Sequence, residues 1–442
     1  MTTSFLQVMI SLGAGIGVIL ILTMKFHVHA FFALMMACIV TGLGVQFSIP
    51  ETLALVKDGF GNIMKSLALI IILGTTLGVL LEHNGSTRTM ADFILKMTGE
   101  RRPALAMSVA GLVVGLPIFC DSGYIVLSGL NRQLAKRTGI SVIPMAVSLA
   151  TGLYSVHCLV PPHPGASAAA AALQVDFGRL ILWGVIVAIP SMVVGHLWSV
   201  YASKKILPAL EKEHINEREP SGRPSAIMAF LPVIVPIALI AIRSFLGMEE
   251  HDKGGRNILM SLGDPVVALS IGVLLAFFPK CDWKKDTIRR LLQESVEKAG
   301  SILVIIGAGG AFGAVLAATK PGDHFSEMAG LKSISIVFPF LLTMILKTAQ
   351  GSSTVAIITA ASIVQSLLPA LGMDTANGHL LAVLAMGAGS MTISHANDAY
   401  FWVIVKFSGI DMKSMLRVYS LATLWMGLTA LVIVYFLSLI LS

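Results

Sequence analysis

The sequence predicts an all-α polytopic membrane protein built from two inverted-topology repeats, each with a re-entrant hairpin and a broken helix. Three observations predict this fold. Of the 442 residues 55% are hydrophobic and only 12% are charged, basic residues cluster in alternate loops, and the two halves of the chain repeat each other weakly. With a mean hydropathy of +0.84, the polar residues are too few to cover a soluble protein of this length.

Long apolar segments account for the membrane-spanning part. A helix needs about 20 apolar residues to cross a hydrocarbon core of about 30 Å. The candidate spans are Phe5–Thr23, Phe26–Phe47, Ser66–Leu81, Leu180–Tyr201, Ala226–Leu246, Ser261–Phe278, Ile302–Ala318 and Val418–Leu441. The four cysteines show no paired spacing, so we expect reduced thiols, no disulfide and no metal site.

The net charge of +7 reflects topology. Most of the 31 Lys and Arg residues fall in alternate loops, for example at Lys25, between Glu82 and Pro103, between Ser203 and Ser225, and between Lys280 and Lys298. Cytoplasmic loops are enriched in Lys and Arg. The pattern therefore predicts both termini outside a bacterial-type cytoplasmic (inner) membrane, and it gives no reason to expect a nucleic-acid partner.

The two halves of the chain match at a constant offset. The matching pairs are Gly74 and Gly309, Gly78 and Gly313, Leu81 and Leu316, and Gly152 and Gly387. We expect residues 1–202 to form the first inverted repeat, residues 203–225 a cytoplasmic hydrophilic linker, and residues 226–442 the second inverted repeat.

Each half contains two polar, helix-breaking segments at membrane depth. The apolar run from Ala104 breaks at FCDSG and the run from Ile334 breaks at KTAQGSST, and the basic loops give these two predicted hairpins opposite orientations. The two broken helices are interrupted at VHCLVPPHPG and ISHANDAY. Unpaired backbone is costly in lipid, so the four breaks should meet inside the protein. Such breaks in inverted repeats are typical of secondary transporters.

The residues at the breaks suit an organic anion. A helix that restarts in mid-membrane directs unpaired N–H groups and the positive end of its dipole into a cavity. The candidate substrate-binding residues are Asp121, Ser122, Gly123, His157, Pro161, Pro162, Lys347, Gln350, Gly351, Ser352, Ser353, Thr354, His395 and Asn397. The candidate proton-coupling residues are Asp121, Asp398, His157 and His395, because intramembrane carboxylates are costly and histidine titrates near neutrality.

Four segments resemble the signature motifs of a known family. They are GLPIFCDSGYIVL, HCLVPPHPGASAAAAAL, AQGSSTVAIITAA and SHANDAYFW. In this order they resemble the gluconate permease family, within the larger ion transporter superfamily, over essentially the whole chain. The resemblance implies proton-coupled import of sugar acids or related hydroxy acids, with some relatives carrying D-serine. It also implies a homodimer in which a transport domain moves like an elevator against a scaffold domain.

Several alternatives stay open at this point. The chain departs from the family pattern at Cys120, His163 and Ala166, which leaves the particular solute open. A sodium-coupled carboxylate carrier or a cation/proton antiporter is the first alternative, since Asn397, Ser394, Asp398 and backbone carbonyls are oxygen ligands suited to sodium. An intramembrane enzyme is a remote alternative, because nothing resembles GxSxG or HExxH. We expect a transporter without a cofactor, with the proton as coupling ion and with a small organic anion and the lipid bilayer as partners.

Overall fold

The computed structural model describes residues 5–98, 102–138, 140–204, 224–247, 260–279, 283–319, 334–395 and 398–441. Within these ranges the chain forms helices and no strand. Six helical segments in the described part are long and apolar enough to cross a membrane, which confirms the expected all-α, multi-pass architecture. Most of the expected linker lies outside the described residues, as does Asn397.

The first half of the chain forms nine consecutive helices within the described ranges. They are α1 (Phe5–Met24), α2 (Ala30–Gly44), α3 (Ile49–His83), α4 (Ser86–Thr98), α5 (Pro103–Gly115), α6 (Cys120–Thr138), α7 (Val142–Leu159), α8 (Pro164–Ala172) and α9 (Phe177–Ser203). Short polar side chains begin several of them. Ser48 Oγ accepts a hydrogen bond from the backbone N–H of Glu51 at the start of α3, and Asp176 caps α9 in the same way.

The second half contains nine further helices within the described ranges. Its helices are α10 (Ala226–Gly247), α11 (Pro265–Leu275), α12 (Lys285–Ala318), α13 (Val337–Gln350), α14 (Ser353–Leu367), α15 (Ala376–Met391), α16 (Ala399–Ser408), α17 (Met412–Met415) and α18 (Leu421–Leu441). A π-helical turn, Leu416–Ser420, connects the last two.

The helix pairings of the two halves correspond. The pair α1 and α2 matches α10 and α11, the pair α5 and α7 matches α13 and α15, and the pair α7 and α9 matches α15 and α18. Contacts between the halves correspond as well, because α2 packs on α12 as α11 packs on α3, and α6 packs on α16 as α14 packs on α8. This correspondence supports the expected repeat, while the opposite orientation of the halves stays a prediction.

Helices α3 and α12 are longer than the apolar segments indicated. They have 35 and 34 residues, or about 50 Å each at 1.5 Å per residue, whereas hydropathy marks only their C-terminal halves. The N-terminal half of α3 mixes polar and apolar residues but packs against the C-terminal half of α12. The approach is close, since a Cβ on Gly59 would lie 2.9 Å from the Cα of Ala311.

Helix α7 lies at the centre of the protein. Every residue from Ile143 to Leu159 is buried, with α5 and α9 packed against the helix. The chain breaks over Val160–His163, where the Pro161–Pro162 peptide is cis, and α8 begins at Pro164. Because protein surrounds this break, its backbone is shielded from lipid.

Candidate functional site

The break between α13 and α14 exposes the start of a helix. Helix α13 ends at Gln350, Gly351 adopts a left-handed conformation with φ of 79°, and α14 begins at Ser353. Ser352 caps α14, because its Oγ accepts a hydrogen bond from the backbone N–H of Val355 at 3.3 Å. Glycine tolerates the left-handed conformation without Cβ strain, so the chain reverses within two residues and leaves the first N–H groups of α14 facing the break.

The break before α16 carries a buried ion pair. Lys347 Nζ lies 2.7 Å from Asp398 Oδ2, with the two side chains 0% and 8% exposed. The same ammonium group donates to the carbonyl oxygen of Gly351 at 3.1 Å. Asp398 also accepts hydrogen bonds from Ser394 Oγ at 2.5 Å and from the backbone N–H of Tyr400 at 3.0 Å. The pair therefore ties the break after α13 to the N-terminus of α16.

The third polar segment begins α6. Asp121 lies in the first turn of this helix, and the Cys120 thiol lies 3.9 Å from Asp121 Oδ1. Helix α6 packs against α16, and Asp121 and Asp398 line the same cavity. Asp398 has a lysine partner, whereas no described cation forms a salt bridge with Asp121.

A cavity of about 610 Å³, the site cavity, lies where these breaks meet. The predicted residues that line it are Asp121, Ser122, His157, Gln350, Gly351, Ser352, Ser353, Thr354 and Asp398. The N-terminal ends of α6, α8, α14 and α16 all reach it, at Cys120, Pro164, Ser353 and Ala399. Four helix N-termini give the cavity a positive electrostatic contribution that favours an anion.

Other predicted residues lie near the site cavity without lining it. Gly123 packs against Leu153, a Cβ there lying 2.8 Å from Leu153 Cδ2. Pro162 lies beside a separate small cavity, and His395 Nε2 donates to the carbonyl oxygen of Thr348 at 3.3 Å. Pro161 belongs to the break that follows α7.

Lys347 was expected to provide a cation in the substrate site, but the structure places it elsewhere. It is absent from the lining of the site cavity, because its ammonium group is held by Asp398 and Gly351. A fully buried ammonium needs a counter-charge and hydrogen-bond acceptors. The structure assigns both to the protein itself.

Two lining side chains have buried polar atoms without a partner among the described residues. They are the amide nitrogen and oxygen of Gln350 and the Nδ1 of His157. A buried polar atom left unpaired costs about 1–3 kcal/mol. A ligand with hydroxyl and carboxylate groups in the site cavity would provide the missing hydrogen bonds.

The sequence interpretation missed several lining residues. Tyr154 and Tyr400 line the site cavity, and their hydroxyls donate across the fold to the carbonyl oxygens of Ser390 and Ala150 at 3.3 and 3.2 Å. Both were detectable, since Tyr400 belongs to the SHANDAYFW segment and Tyr154 lies one helical turn before His157. Further lining residues from α12 are Lys298, Ser301, Ile302 and Ile305.

The sequence interpretation placed Lys298 outside the helix that contains it. The basic-residue pattern assigned Lys298 to a cytoplasmic loop, whereas it lies within α12, with its side chain 37% exposed and its Nζ 2.7 Å from Glu294 Oε1. Its signal in the sequence is its position as the last charged residue before a long apolar run.

No group of three His, Cys, Asp or Glu side chains in the described part of the chain is arranged to hold a metal ion.

The fold and the cavity define a multi-pass membrane transport protein with a central polar site. The chain belongs to the GntP family of permeases, whose family profile matches residues 7–440. This confirms the resemblance read from the four motifs. It also means that the protein is a permease and not an enzyme.

Two relatives and one solved structure illustrate the similarity. An uncharacterized permease of Haemophilus influenzae is 34% identical over 441 residues, covering 94% of this chain and 88% of the relative. The gluconate permease of Pseudomonas aeruginosa is 33% identical over 438 residues, covering 96% of each chain. The Alcanivorax borkumensis YdaH transporter shares the fold, with a TM-score of 0.65 at 12% identity over 89% of this chain and 90% of that one.

Proposed function

We propose that this permease imports a small hydroxy-carboxylate of the sugar-acid class, such as gluconate, by proton symport across the inner membrane. The observation that carries the proposal is the site cavity, whose lining includes the start of α14 together with Gln350 and His157; the amide of Gln350 and the Nδ1 of His157 have no partner among the described residues. Its volume of about 610 Å³ falls within the range of small-molecule sites. The name of the Pseudomonas aeruginosa relative supports the same substrate class.

In this proposal the substrate carboxylate binds at the N-terminus of α14. The first backbone N–H groups there, together with the hydroxyls of Ser353 and Thr354, offer several donors to one anionic group. The polyol part then contacts Gln350, His157 and Ser122, whose groups donate or accept according to the hydroxyl they meet. Tyr154 and Phe119 contribute apolar surface to the same cavity.

The proton is proposed to travel on Asp121. Asp398 is neutralised by Lys347 at 2.7 Å and held by two further hydrogen bonds, so adding a proton to it would break a buried ion pair. Asp121 lines the same cavity without a lysine or arginine partner in the described part of the chain. It is therefore the carboxyl group whose charge can change with the least disruption.

The mechanical part of the proposal follows the family resemblance. The early helices of each half, α1–α3 and α10–α12, form a scaffold domain, and the helices with breaks, α5–α8 and α13–α16, form a transport domain. The proposal also includes two halves of inverted orientation, two hairpins of opposite polarity, both termini outside the membrane, and a homodimer. The matched helix pairings of the two halves support this arrangement.

The test uses purified protein and reconstituted vesicles. Gluconate, glucuronate, glycerate and D-serine are compared in a thermal-shift assay, in which a ligand at 100 times its dissociation constant adds about 2.7 kcal/mol of stability. Labelled gluconate should then accumulate in proteoliposomes when a pH gradient is imposed in choline buffer. Accumulation that requires a sodium gradient and ignores pH would favour the sodium-coupled alternative, and the absence of any shift with all four ligands would contradict the substrate class.

A further inference from the structure

A second cavity of about 590 Å³ lies outside the candidate site. Helices α3, α8, α12 and α14 line it. Its polar lining residues are Asn62, Lys65, Ser66, Gln174, Ser362 and Gln365. None of the proposed binding residues lines this second cavity.

The two cavities lie at opposite ends of the helix pair α8 and α14. The site cavity is lined by the first residue of α8, Pro164, whereas the second cavity is lined by Ala171 and Ala172 at its other end. These positions are about 10 Å apart along the helix axis. Helix α14 repeats the arrangement, with Ser352–Val355 at the site cavity and Ile358–Gln365 at the second.

Helix α12 runs past both cavities. Residues 298–305 of this helix lie along the site cavity, and residues 306–317 lie along the second. The two cavities therefore lie one after the other along α12. Where α8 and α14 separate them, packing is tight, since a Cβ on Gly165 would lie 2.9 Å from Ile357 Cδ1 and 3.3 Å from the Cα of Thr354. Ser362 Oγ also fastens α14 to α12 by donating to the carbonyl oxygen of Gly309 at 2.6 Å.

Each cavity contains a lysine and a serine from one of the two long helices. Lys65 and Ser66 of α3 line the second cavity, and Lys298 and Ser301 of α12 line the site cavity. Ser66 and Ser301 are separated by the same offset as the repeat pair Gly74 and Gly309. The repeat thus places an equivalent serine at both cavities, each with a lysine of the same helix nearby.

We propose that the second cavity is a vestibule for the organic anion. Through it the anion reaches the site from one membrane face, whereas the site cavity serves the opposite face. Lys65 attracts the anion at the mouth of this vestibule. The inference rests on the proposed function of the site. In the structure α8 and α14 close the path between the two cavities, so only one end of it communicates with the site. An aqueous vestibule is favoured over a lipid-filled crevice by its amide, hydroxyl and ammonium groups, which hydrocarbon cannot solvate.

The first test measures access to matched cysteines. Ser66→Cys and Ser301→Cys are introduced separately into a variant in which Cys38, Cys120, Cys158 and Cys281 are alanine. Each is treated with a membrane-impermeant sulfonated thiol reagent in right-side-out and in inside-out vesicles. Leu69→Cys is the control, because Leu69 lies on the same helix as Ser66, is 59% exposed and lines neither cavity.

The proposal expects Ser66→Cys to react from one membrane face and Ser301→Cys from the other, with Leu69→Cys unreactive from both. Reaction of both serine positions from the same face would overturn it. So would a Ser66→Cys variant that reacts only with a lipid-soluble maleimide, since that result indicates a lipid-filled crevice. No substrate is used, so these results are independent of whether gluconate is transported.

The second test removes the charge at the mouth. Lys65→Gln is compared with Lys57→Gln, which removes the same charge from an exposed position about 12 Å further along α3 and outside the cavity. One unit charge near a screened aqueous path changes the local anion concentration by about two- to threefold. Lys65→Gln should raise the KM for labelled gluconate by that factor from the face that labels Ser66→Cys, with kcat unchanged, and the effect should vanish at high ionic strength. An equal effect of both substitutions, or a change confined to kcat, would overturn the role of Lys65.

Discussion

The ammonium group of Lys347 and the carboxylate of Asp398 form an ion pair of 2.7 Å inside the protein. It connects the last turn of α13 to the first residue before α16, two helices interrupted at the same cavity. Lys347 and Asp398 are 51 residues apart in sequence, so one contact fixes the relative position of two separate breaks. The pair holds the two breaks of the site in position. The other polar groups of the site remain available to a ligand.

We predict that Lys347→Met and Asp398→Asn will each destabilise the protein strongly, whereas the double variant will recover much of the loss. Breaking a buried ion pair leaves one uncompensated charge and costs about 3–5 kcal/mol, but removing both charges leaves none. Thermal unfolding of the purified single and double variants measures this. Equal and additive losses in the double variant would contradict the pairing.

The matched control for this prediction is the ion pair between Lys298 and Glu294, which is also 2.7 Å long but 37% and 44% exposed. Exposed pairs contribute about 0–1 kcal/mol. Glu294→Gln should therefore change the melting temperature little, which separates the effect of burial from the effect of distance.

We predict that Gly351→Ala will impair both stability and substrate binding. At a φ of 79°, an added Cβ costs about 1 kcal/mol. The strain lies at the start of α14, so the N–H groups proposed to bind the carboxylate should shift. Gly409→Ala is the control, because Gly409 has a φ of 71° and nothing within 4 Å of its added Cβ. Gly409→Ala should lower the melting temperature by a similar amount but keep the gluconate-induced shift, and loss of that shift in both variants would contradict the site.

The sequence predicted where the helices are interrupted, because polar and proline-rich residues within an apolar segment are poorly suited to a continuous membrane helix. The start of α14 at Ser353 and the burial of the α7–α8 break follow from that logic. The N-terminal half of α3 did not, because it is apolar only in part and packs against the C-terminal half of α12, with Gly59 against Ala311.

The sequence also could not predict which charged side chains pair with each other. Lys347 was expected to meet the substrate because it is a cation near a break. Which carboxylate it meets depends on the approach of α13 and α16, and no local pattern encodes that distance. Lys298 illustrates the same limit, since a half-exposed lysine within a long helix looks identical to a loop lysine in the sequence.

We predict that Gln350→Leu will reduce the gluconate-induced thermal shift without lowering the stability of the ligand-free protein. Its two amide atoms are buried without a partner among the described residues, so removing them relieves a desolvation cost, while a bound substrate loses both hydrogen bonds. A loss of about 1–3 kcal/mol in binding, or roughly five- to 150-fold in Kd, is expected.

The control for Gln350 is Thr359→Val. Thr359 Oγ1 is likewise buried without a partner in the described part of the chain and lies on α14, but it does not line the site cavity. This variant should raise the melting temperature slightly and leave the gluconate-induced shift intact. If Gln350→Leu behaves in the same way as Thr359→Val, then Gln350 does not bind the substrate.

The last prediction concerns proton coupling and separates the two carboxyl groups near the site. Asp121→Asn, which is neutral and nearly isosteric, should abolish the uphill accumulation of labelled gluconate driven by a pH gradient in proteoliposomes. It should retain exchange of labelled for unlabelled gluconate, because exchange requires no net release of a proton. Asp398→Asn should instead reduce both activities and the melting temperature, because it leaves Lys347 buried without its counter-charge. Normal accumulation by Asp121→Asn would remove Asp121 from the proton path and transfer the role to His157, which lines the same cavity.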